Sequence, residues 1–323
     1  MNIHVASRPA RSRPENAHDA FAADVIAGLT RQPKQLPPKY FYDETGSRLF
    51  EEITRLPEYY PTRTELGMLR DHGQEIARIM PPDAALIEFG AGATTKVRLL
   101  LAQCRIGAYV PVDISGAFLN GQATALRADF PDLAVHPVVA DFTAPFNLPR
   151  AVQNLPKVGF FPGSTIGNFE PQEASAFLRG AREILGTGST LIVGVDLEKD
   201  EHVLRAAYND AAGITAKFNL NLLERINHEL DGHFELSTFT HRAIYNRERH
   251  RIEMHLISRK AQTVRVMERS IAFRAGESIH TESSYKYSVE RFQALARDAG
   301  WTPRETWIDP DGLFSVQALL AKE

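Results

Sequence analysis

AALIEFGAGATTK, residues Ala84–Lys96, is the stretch that decides the fold. Leu86, Ile87 and Phe89 form a short apolar run, Gly90 and Gly92 close it, and Thr94 to Cys104 suits a helix. The order predicted is a buried strand, a tight glycine turn and a helix. Glycine belongs where a ligand lies against the backbone, because a Cβ would collide with it. A dinucleotide loop reads G-x-G-x-x-G and seats a pyrophosphate at the helix start. Here Thr95 stands at the third glycine position, and the motif is acid-x-Gly-x-Gly from Glu88 to Gly92. An amino-acid-bearing nucleoside, a nucleotide and an ordinary glycine turn all stay open at this point.

Downstream, strands and helices alternate. Ala108–Ile114 reads as a second strand ending in Asp113, Gly116–Ala128 as a helix, and Ala134–Phe142 as a third strand ending in Asp141 and Phe142. Val158–Pro162 is a fourth strand followed by GSTIGNFEP, Gln172–Leu185 a helix, and Ser189–Leu197 a fifth strand. Such alternation means βαβ units and a parallel sheet, with ligands at the carboxyl ends of the strands. Asp113 is placed to take a ribose diol. Asp141 is placed to accept an adenine amine, with Phe142 against the ring. Trp301–Ile308 and Gly312–Ala321 then read as a closing antiparallel hairpin. That hairpin belongs to class I S-adenosylmethionine (SAM) methyltransferase sheets and not to the dinucleotide fold.

Two regions lie outside this pattern. Upstream, Asp19–Arg31 has helical spacing and Thr64–Met80 looks helical. Between them Tyr40, Phe41, Tyr42, Phe50, Tyr59 and Tyr60 crowd together, as a small aromatic core or as a wall over a ligand. After strand five come helices His202–Tyr208 and Ile214–Asn227. Strand-like runs follow in Phe234–Ser258, Val264–Val266, Ser270–Phe273 and Glu277–Tyr287, and then a return to helix. Consecutive strands with short polar turns predict an inserted antiparallel sheet.

Composition narrows the partners. The 323 residues carry a net charge of −3, with no basic stripe, which disfavours nucleic acid. No apolar run is long enough to span a membrane. The single cysteine, Cys104, excludes an internal disulfide and reads as a buried thiol. The eleven histidines show no strong ligand spacing, so no metal is expected. Arg8, Pro9, Arg11, Arg13 and Pro14 mark a frayed tail over residues 1–15 without a signal-peptide pattern, which points to a cytoplasmic protein.

From about Leu36 to the C-terminus the chain resembles the histidine-specific SAM-dependent methyltransferases, the L-histidine Nα-methyltransferases of ergothioneine biosynthesis. The blocks that carry this are YFYDETGSRLFEEITRLPEYYPTRTE, EFGAGATTK, Asp113, ADF at 140–142, PGSTIGNF, AAYNDAAGITAKFNLN, IEMHL and TESSYKYS. The resemblance implies an α/β fold: a class I Rossmann-like SAM methyltransferase sheet with an additional α+β substrate-binding domain. It divides the chain into 1–61 (substrate-binding, N-terminal part), 62–197 (methyltransferase), 198–287 (inserted substrate-binding part) and 288–323 (return to the methyltransferase domain).

The resemblance also implies the activity, trimethylation of the α-amine of L-histidine to hercynine, with SAM consumed and no metal, by a monomer. It gives Gly90, Lys96, Asp113, Asp141 and Phe142 to SAM. Tyr59, Asn168, Tyr208, Met254, Glu282 and Ser284 match the histidine pocket. Tyr42, Phe50, Gly163 and Thr165 fall on positions that line the active site, with Tyr42 and Asn168 nearest the chemistry. Residues 285–287 read YKY where the family carries smaller or different side chains. A same-fold enzyme for another amine, such as an indole-bearing amino acid, and a silent SAM- or histidine-binding regulator are the competing readings.

Overall fold

The computed structural model describes residues 17–322, so the tail expected over residues 1–15 lies outside it. In chain order the strands are β1 (Lys34–Gln35), β2 (Ala84–Phe89), β3 (Ile106–Asp113), β4 (Ala134–Val135), β5 (Val138–Val139), β6 (Lys157–Phe161) and β7 (Thr190–Asp196). Then come β8 (Phe239–Asn246), β9 (Arg251–Ser258), β10 (Gln262–Val266), β11 (Arg269–Phe273), β12 (Ser278–Tyr285), β13 (Trp301–Ile308) and β14 (Phe314–Ala321).

β2 sits near the middle of the main sheet, whose order is β13-β14-β7-β6-β2-β3-β4, with β5 also on β3. Strands β7 through β5 pair in parallel, while β14 and β13 are antiparallel. This is the order expected of the class I methyltransferase sheet, and the closing hairpin is present. Both faces are covered, which explains the near-continuous apolar runs. Ile87 and Phe89 pack with Phe161, Phe177 and Trp301 on one face, and Leu86 with Met68, Val97 and Phe160 on the other. Each such fully buried side chain contributes about 1.5–3 kcal/mol. The sheet's crevice opens between β2 and β6, where the strand order reverses.

A second sheet, β1-β12-β9-β8, carries the hairpin β10–β11 beside it. One apolar cluster joins the N-terminal Phe21, Val25 and Phe41 to Phe218, Met254 and Ile279. The early and late segments therefore share a core although well over a hundred residues separate them in sequence.

Three readings need correction. The third strand shrinks to two two-residue pieces, β4 and β5, because Pro137 has no N–H to give a ladder. Thr64–Met80 is two helices, Tyr60–Asp71 and Gly73–Ile79, broken at His72. The run from Phe234 becomes strand only at Phe239, after a 3₁₀ turn at Leu236–Thr238. Cys104 is half-buried, and burial pushes its thiol up to about 11.

Candidate active site

At the carboxyl edge of the main sheet, Gly90 has φ +74°, and a Cβ there would stand 3.2 Å from the Phe142 ring. Its constraint is therefore internal. Around Gly92 no heavy atom lies within 4 Å of a Cβ position, so space against that backbone is open to a ligand. Asp113 ends β3 half-buried; it accepts the Ser115 N–H at 2.8 Å, and burial raises its carboxyl above the usual range. Asp141 is exposed beyond β5 and accepts from the Thr143 N–H at 2.9 Å. Phe142 is set edgewise on Phe161 at 5.8 Å and Phe177 at 5.9 Å. An open glycine backbone flanked by two strand-end carboxylates and a ring fits a ligand with amine, diol and aromatic parts, as SAM has.

Lys96 does not stand alone. Its ammonium lies 2.6 Å from Glu65, which is 1% exposed and also accepts the Gly163 N–H at 2.9 Å. Gly163 has φ +80°, which a side chain rarely tolerates. Glu65 thus ties the helix Tyr60–Asp71 to the glycine-loop helix and to the loop after β6.

That loop continues through the 3₁₀ turn Thr165–Asn168. Thr165 donates to the Pro162 carbonyl at 2.9 Å. The turn is pressed on β12: a Cβ at Gly167 would be 2.7 Å from the Tyr285 carbonyl oxygen. Asn168 is half-buried, and its carboxamide makes no hydrogen bond among the described residues. It does not cap the next helix. Glu170 does, with its N–H held by Glu173 at 2.9 Å.

On the second sheet, Phe50, Tyr59, Tyr208, Phe218, Met254 and Glu282 line a small cavity of about 20 Å³. Tyr42 packs edge-on to Phe50 at 5.6 Å. The strand β12 aims Glu282 inward by a bulge. His280 pairs with His255 and Glu282 with Met254, so Thr281 is the extra residue. Simple alternation from the core residue Ile279 would have turned Glu282 outward. After the bulge Ser284 shares the face of Glu282. No group among the described residues hydrogen-bonds the Glu282 carboxylate. Burial pushes it up to about 7, with Lys286 pulling the other way. Burial and the nearby Glu282 push the Tyr42 hydroxyl far above its usual range, so it keeps its proton.

Behind Tyr208 lies a buried polar network. Tyr208 and Ser284 are hydrogen-bonded at 2.7 Å. Lys286 donates to Ser284 at 2.7 Å and to Tyr208 at 3.0 Å, and pairs with Asp196 at 2.7 Å. Lys199 pairs with the other Asp196 oxygen at 2.6 Å, and the Tyr60 hydroxyl donates to Asp196 at 2.8 Å. Burial works to raise the Asp196 carboxyl, but the two lysines outweigh it and hold it below the usual range. Burial lowers Lys199 to about 8 against the pull of Asp196. For Lys286, Asp196 and Tyr208 outweigh burial and raise the ammonium. The Asp196 N–H donates to Ser164 Oγ at 2.9 Å, which joins this network to the loop carrying Gly163.

The outer face of the second sheet groups Glu253, His255 and His280, with ligand atoms within 4.8 Å of one another. Part of the group is held from within: Arg251 donates to Glu253 at 2.8 Å, His255 Nε2 lies 3.1 Å from the other Glu253 oxygen, and His280 Nε2 donates to the Glu282 carbonyl at 2.9 Å, while the buried His255 Nδ1 has no partner among the described residues.

The structure therefore gathers the sequence-read residues at two adjoining places. Gly90, Lys96, Asp113, Asp141, Phe142, Gly163 and Thr165 lie at the sheet edge. Tyr42, Phe50, Tyr59, Tyr208, Met254, Glu282 and Ser284 lie around the cavity, and the turn bearing Asn168 abuts β12. Sequence reasoning missed Glu65, Asp196 and Lys199, and it named Tyr60 and Lys286 only as part of the aromatic cluster and of the YKY at 285–287. Asp196, an acid at the end of strand five, carried the same signal as Asp113. Glu65 and the lysines lie in helix, loop and strand-end settings where a charge reads as solvated.

A family model described as histidine-specific methyltransferase, SAM-dependent, matches residues 21–321. A histidine N-alpha-methyltransferase of Mycolicibacterium smegmatis is 41% identical over 312 residues, covering 94% of this chain and 95% of that protein. One from Mycobacterium tuberculosis is 39% identical over 94% of this chain and 96% of its own length. Ergothioneine biosynthesis protein 1 of Neurospora crassa is 33% identical over 85% of this chain, which spans 32% of that longer protein. A solved structure of a possible exported protein from Bordetella parapertussis superposes with TM-score 0.50 at 14% identity, over 94% of this chain and 79% of that one. The chain belongs to the SAM-dependent, histidine-specific methyltransferase family.

Proposed function

We propose that the protein transfers methyl groups from SAM to the α-amine of L-histidine, three times in succession, giving hercynine for ergothioneine biosynthesis. The observation that carries this is the bulge in β12, which turns Glu282, without a partner, into a cavity walled by Met254 and Tyr208. Glu282 accepts an imidazole N–H, Ser284 meets the other ring nitrogen, and Met254 with Tyr59 packs the ring. A carboxylate left unpaired against an apolar side chain is costly, so a phenyl or isobutyl side chain is rejected more strongly than in an apolar pocket.

At the other end, the Asn168 carbonyl accepts from the amine while its NH₂ donates to the α-carboxylate, and Tyr208 donates a second bond. SAM, held by Gly90, Lys96, Asp113, Asp141 and Phe142, supplies a methyl already activated on a sulfonium. The protein's task is then positioning and deprotonation: the amine needs its lone pair free and in line. Tyr42 stays protonated and orients the amine, and proton removal falls to water or another acceptor. Thr165 and Gly163 shape the loop between the two sites, and Phe50 backs Tyr42.

The same reading assigns 62–197 and 288–323 to the methyltransferase domain and 1–61 and 198–287 to the substrate domain. It describes a cytoplasmic monomer whose partners are small molecules, with no metal, nucleic acid or membrane. A net charge of −3 weighs against a nucleic-acid partner, and among the described residues no helix is long and apolar enough to cross a membrane. The test is mass spectrometry of the protein incubated with SAM and each of the twenty amino acids. Gain of three methyls on histidine alone is the expected result. Methylation of another amino acid reassigns the pocket, and no methylation with SAM bound favours a regulatory protein.

A further inference from the structure

Lys286 is fully enclosed, with 0% of its surface exposed. An ammonium has three N–H groups, and here Asp196, Ser284 and Tyr208 take all three, at 2.7, 2.7 and 3.0 Å. Lys286 therefore has no hydrogen left for a ligand. Its influence passes through the two hydroxyls that accept from it.

Those hydroxyls lie 2.7 Å apart. They own two hydrogens between them. One closes the bond joining them, and one is left for the cavity. Charge adds to this. Among the described residues Asp196 is the one carboxylate paired with Lys286 and Lys199, which share it, while Asp309 and Glu282 act on them from further off. None of the residues lining the cavity is a lysine or an arginine. With Ser284 donating across the bond they share, which either hydroxyl is able to do, Tyr208 offers the cavity a donor backed by positive charge one hydrogen bond behind it. In a low-dielectric setting such a chain of bonds polarises each member. A carboxylate is the group that answers it. A carboxamide, which is neutral and brings donors of its own, answers it poorly.

We infer that Lys286 is a positioning residue that sets specificity: acting through the Tyr208 hydroxyl, it supplies the buried positive charge that selects a free α-carboxylate on the substrate. This rests on the reading of the cavity as the histidine site.

The experiment is calorimetric binding of L-histidine and of L-histidinamide, with S-adenosylhomocysteine present, to the native protein and to Lys286→Met. The substitution keeps the length of the stem and leaves Asp196 paired with Lys199 at 2.6 Å, so no buried charge loses its partner. The native protein is expected to prefer histidine over the amide by at least about tenfold, and Lys286→Met to narrow that ratio by about tenfold, mainly by weakening histidine. S-adenosylhomocysteine affinity stays unchanged. Tyr208→Phe, which leaves every buried charge paired, narrows the ratio as well, and adding Lys286→Met to it changes the ratio little further. A ratio that is the same in native protein and Lys286→Met overturns the assignment; if Lys286→Met fails to fold, an unchanged ratio in Tyr208→Phe does so. A native protein that binds neither ligand overturns the reading of the cavity and this inference with it.

Discussion

The carboxyl edge of the main sheet and the cavity beside it treat buried charge in opposite ways. At the sheet edge Glu65 faces Lys96 and the Gly163 N–H, and Asp196 faces two lysines and a tyrosine. In the cavity Glu282 has no such partner, and burial pushes its carboxyl up to about 7. Charges answered from within hold elements together. A charge left unanswered is a vacancy in the hydrogen-bond pattern, and its partner has to come from outside. The contrast separates residues whose loss unfolds the protein from those whose loss changes what it binds.

The sharpest break of that contrast is Asp196→Ala. It strands Lys199 and Lys286 without their anion and leaves the Tyr60 hydroxyl without its acceptor. Removing one member of a buried pair costs about 3–5 kcal/mol. Thermal unfolding should show this loss with or without ligand. A protein as stable as the native one would mean that the network is not structural.

Glu282→Ala is expected to do the reverse. It removes a group that the folded chain does not use, so the free protein stays folded and binds S-adenosylhomocysteine normally. Affinity for histidine falls by about tenfold to a hundredfold, the worth of a hydrogen bond to a charged group. Parallel loss of both ligands in calorimetry would defeat the division between the two sites.

The pH dependence sharpens the same point. A carboxyl raised from 4.5 to about 7 binds its proton more tightly folded than unfolded. Its contribution to stability is full below 4.5 and is lost as pH rises through 7. Glu88, buried under Tyr109 and also raised to about 7, acts in the same direction. Glu282→Gln should therefore remove part of the decline in free-protein stability across that window and leave the part due to Glu88. Unfolding curves at several pH values test this, and an identical slope in the variant would show that Glu282 does not titrate there.

Asp113→Ala comes next in size. Its carboxylate is held within its own turn by the Ser115 N–H, so the fold loses little. S-adenosylhomocysteine should bind about tenfold more weakly. Normal affinity would remove Asp113 from the cofactor site.

The two regions also differ in how far the sequence discloses them. The sheet was legible because its signals are local: apolar runs ending in Gly90, Asp113 and Asp141, and a closing hairpin. The cavity was legible only through resemblance, since Glu282, Met254 and Tyr208 come from separate strands and loops. Alternation along β12 does not foretell the bulge at Thr281, which depends on the register with β9. Glu65 was illegible, and Lys286 stood out only as part of the YKY at 285–287, because a lone charge says nothing of the partner that buries it. Pro137 was visible in the sequence, yet the apolar residues around it outweighed its missing N–H in the reading of the third strand.

The smallest effect on the fold, and the cleanest division between fold and ligand, is expected at the loop where the reading began. Gly90 and Gly92 look alike in the motif but differ in the structure. Gly90 needs its positive φ, and a methyl there meets the Phe142 ring at 3.2 Å, so Gly90→Ala strains the protein itself. Gly92 has no positive φ, and a methyl there meets no atom of the protein within 4 Å. Gly92→Ala should therefore keep its stability within about 0.5 kcal/mol of native, as a substitution in open space does. Any weakening of S-adenosylhomocysteine must then come from the ligand meeting the methyl. If Gly92→Ala binds as the native protein does, the ligand does not lie against that backbone, and the second glycine of the motif serves only the turn.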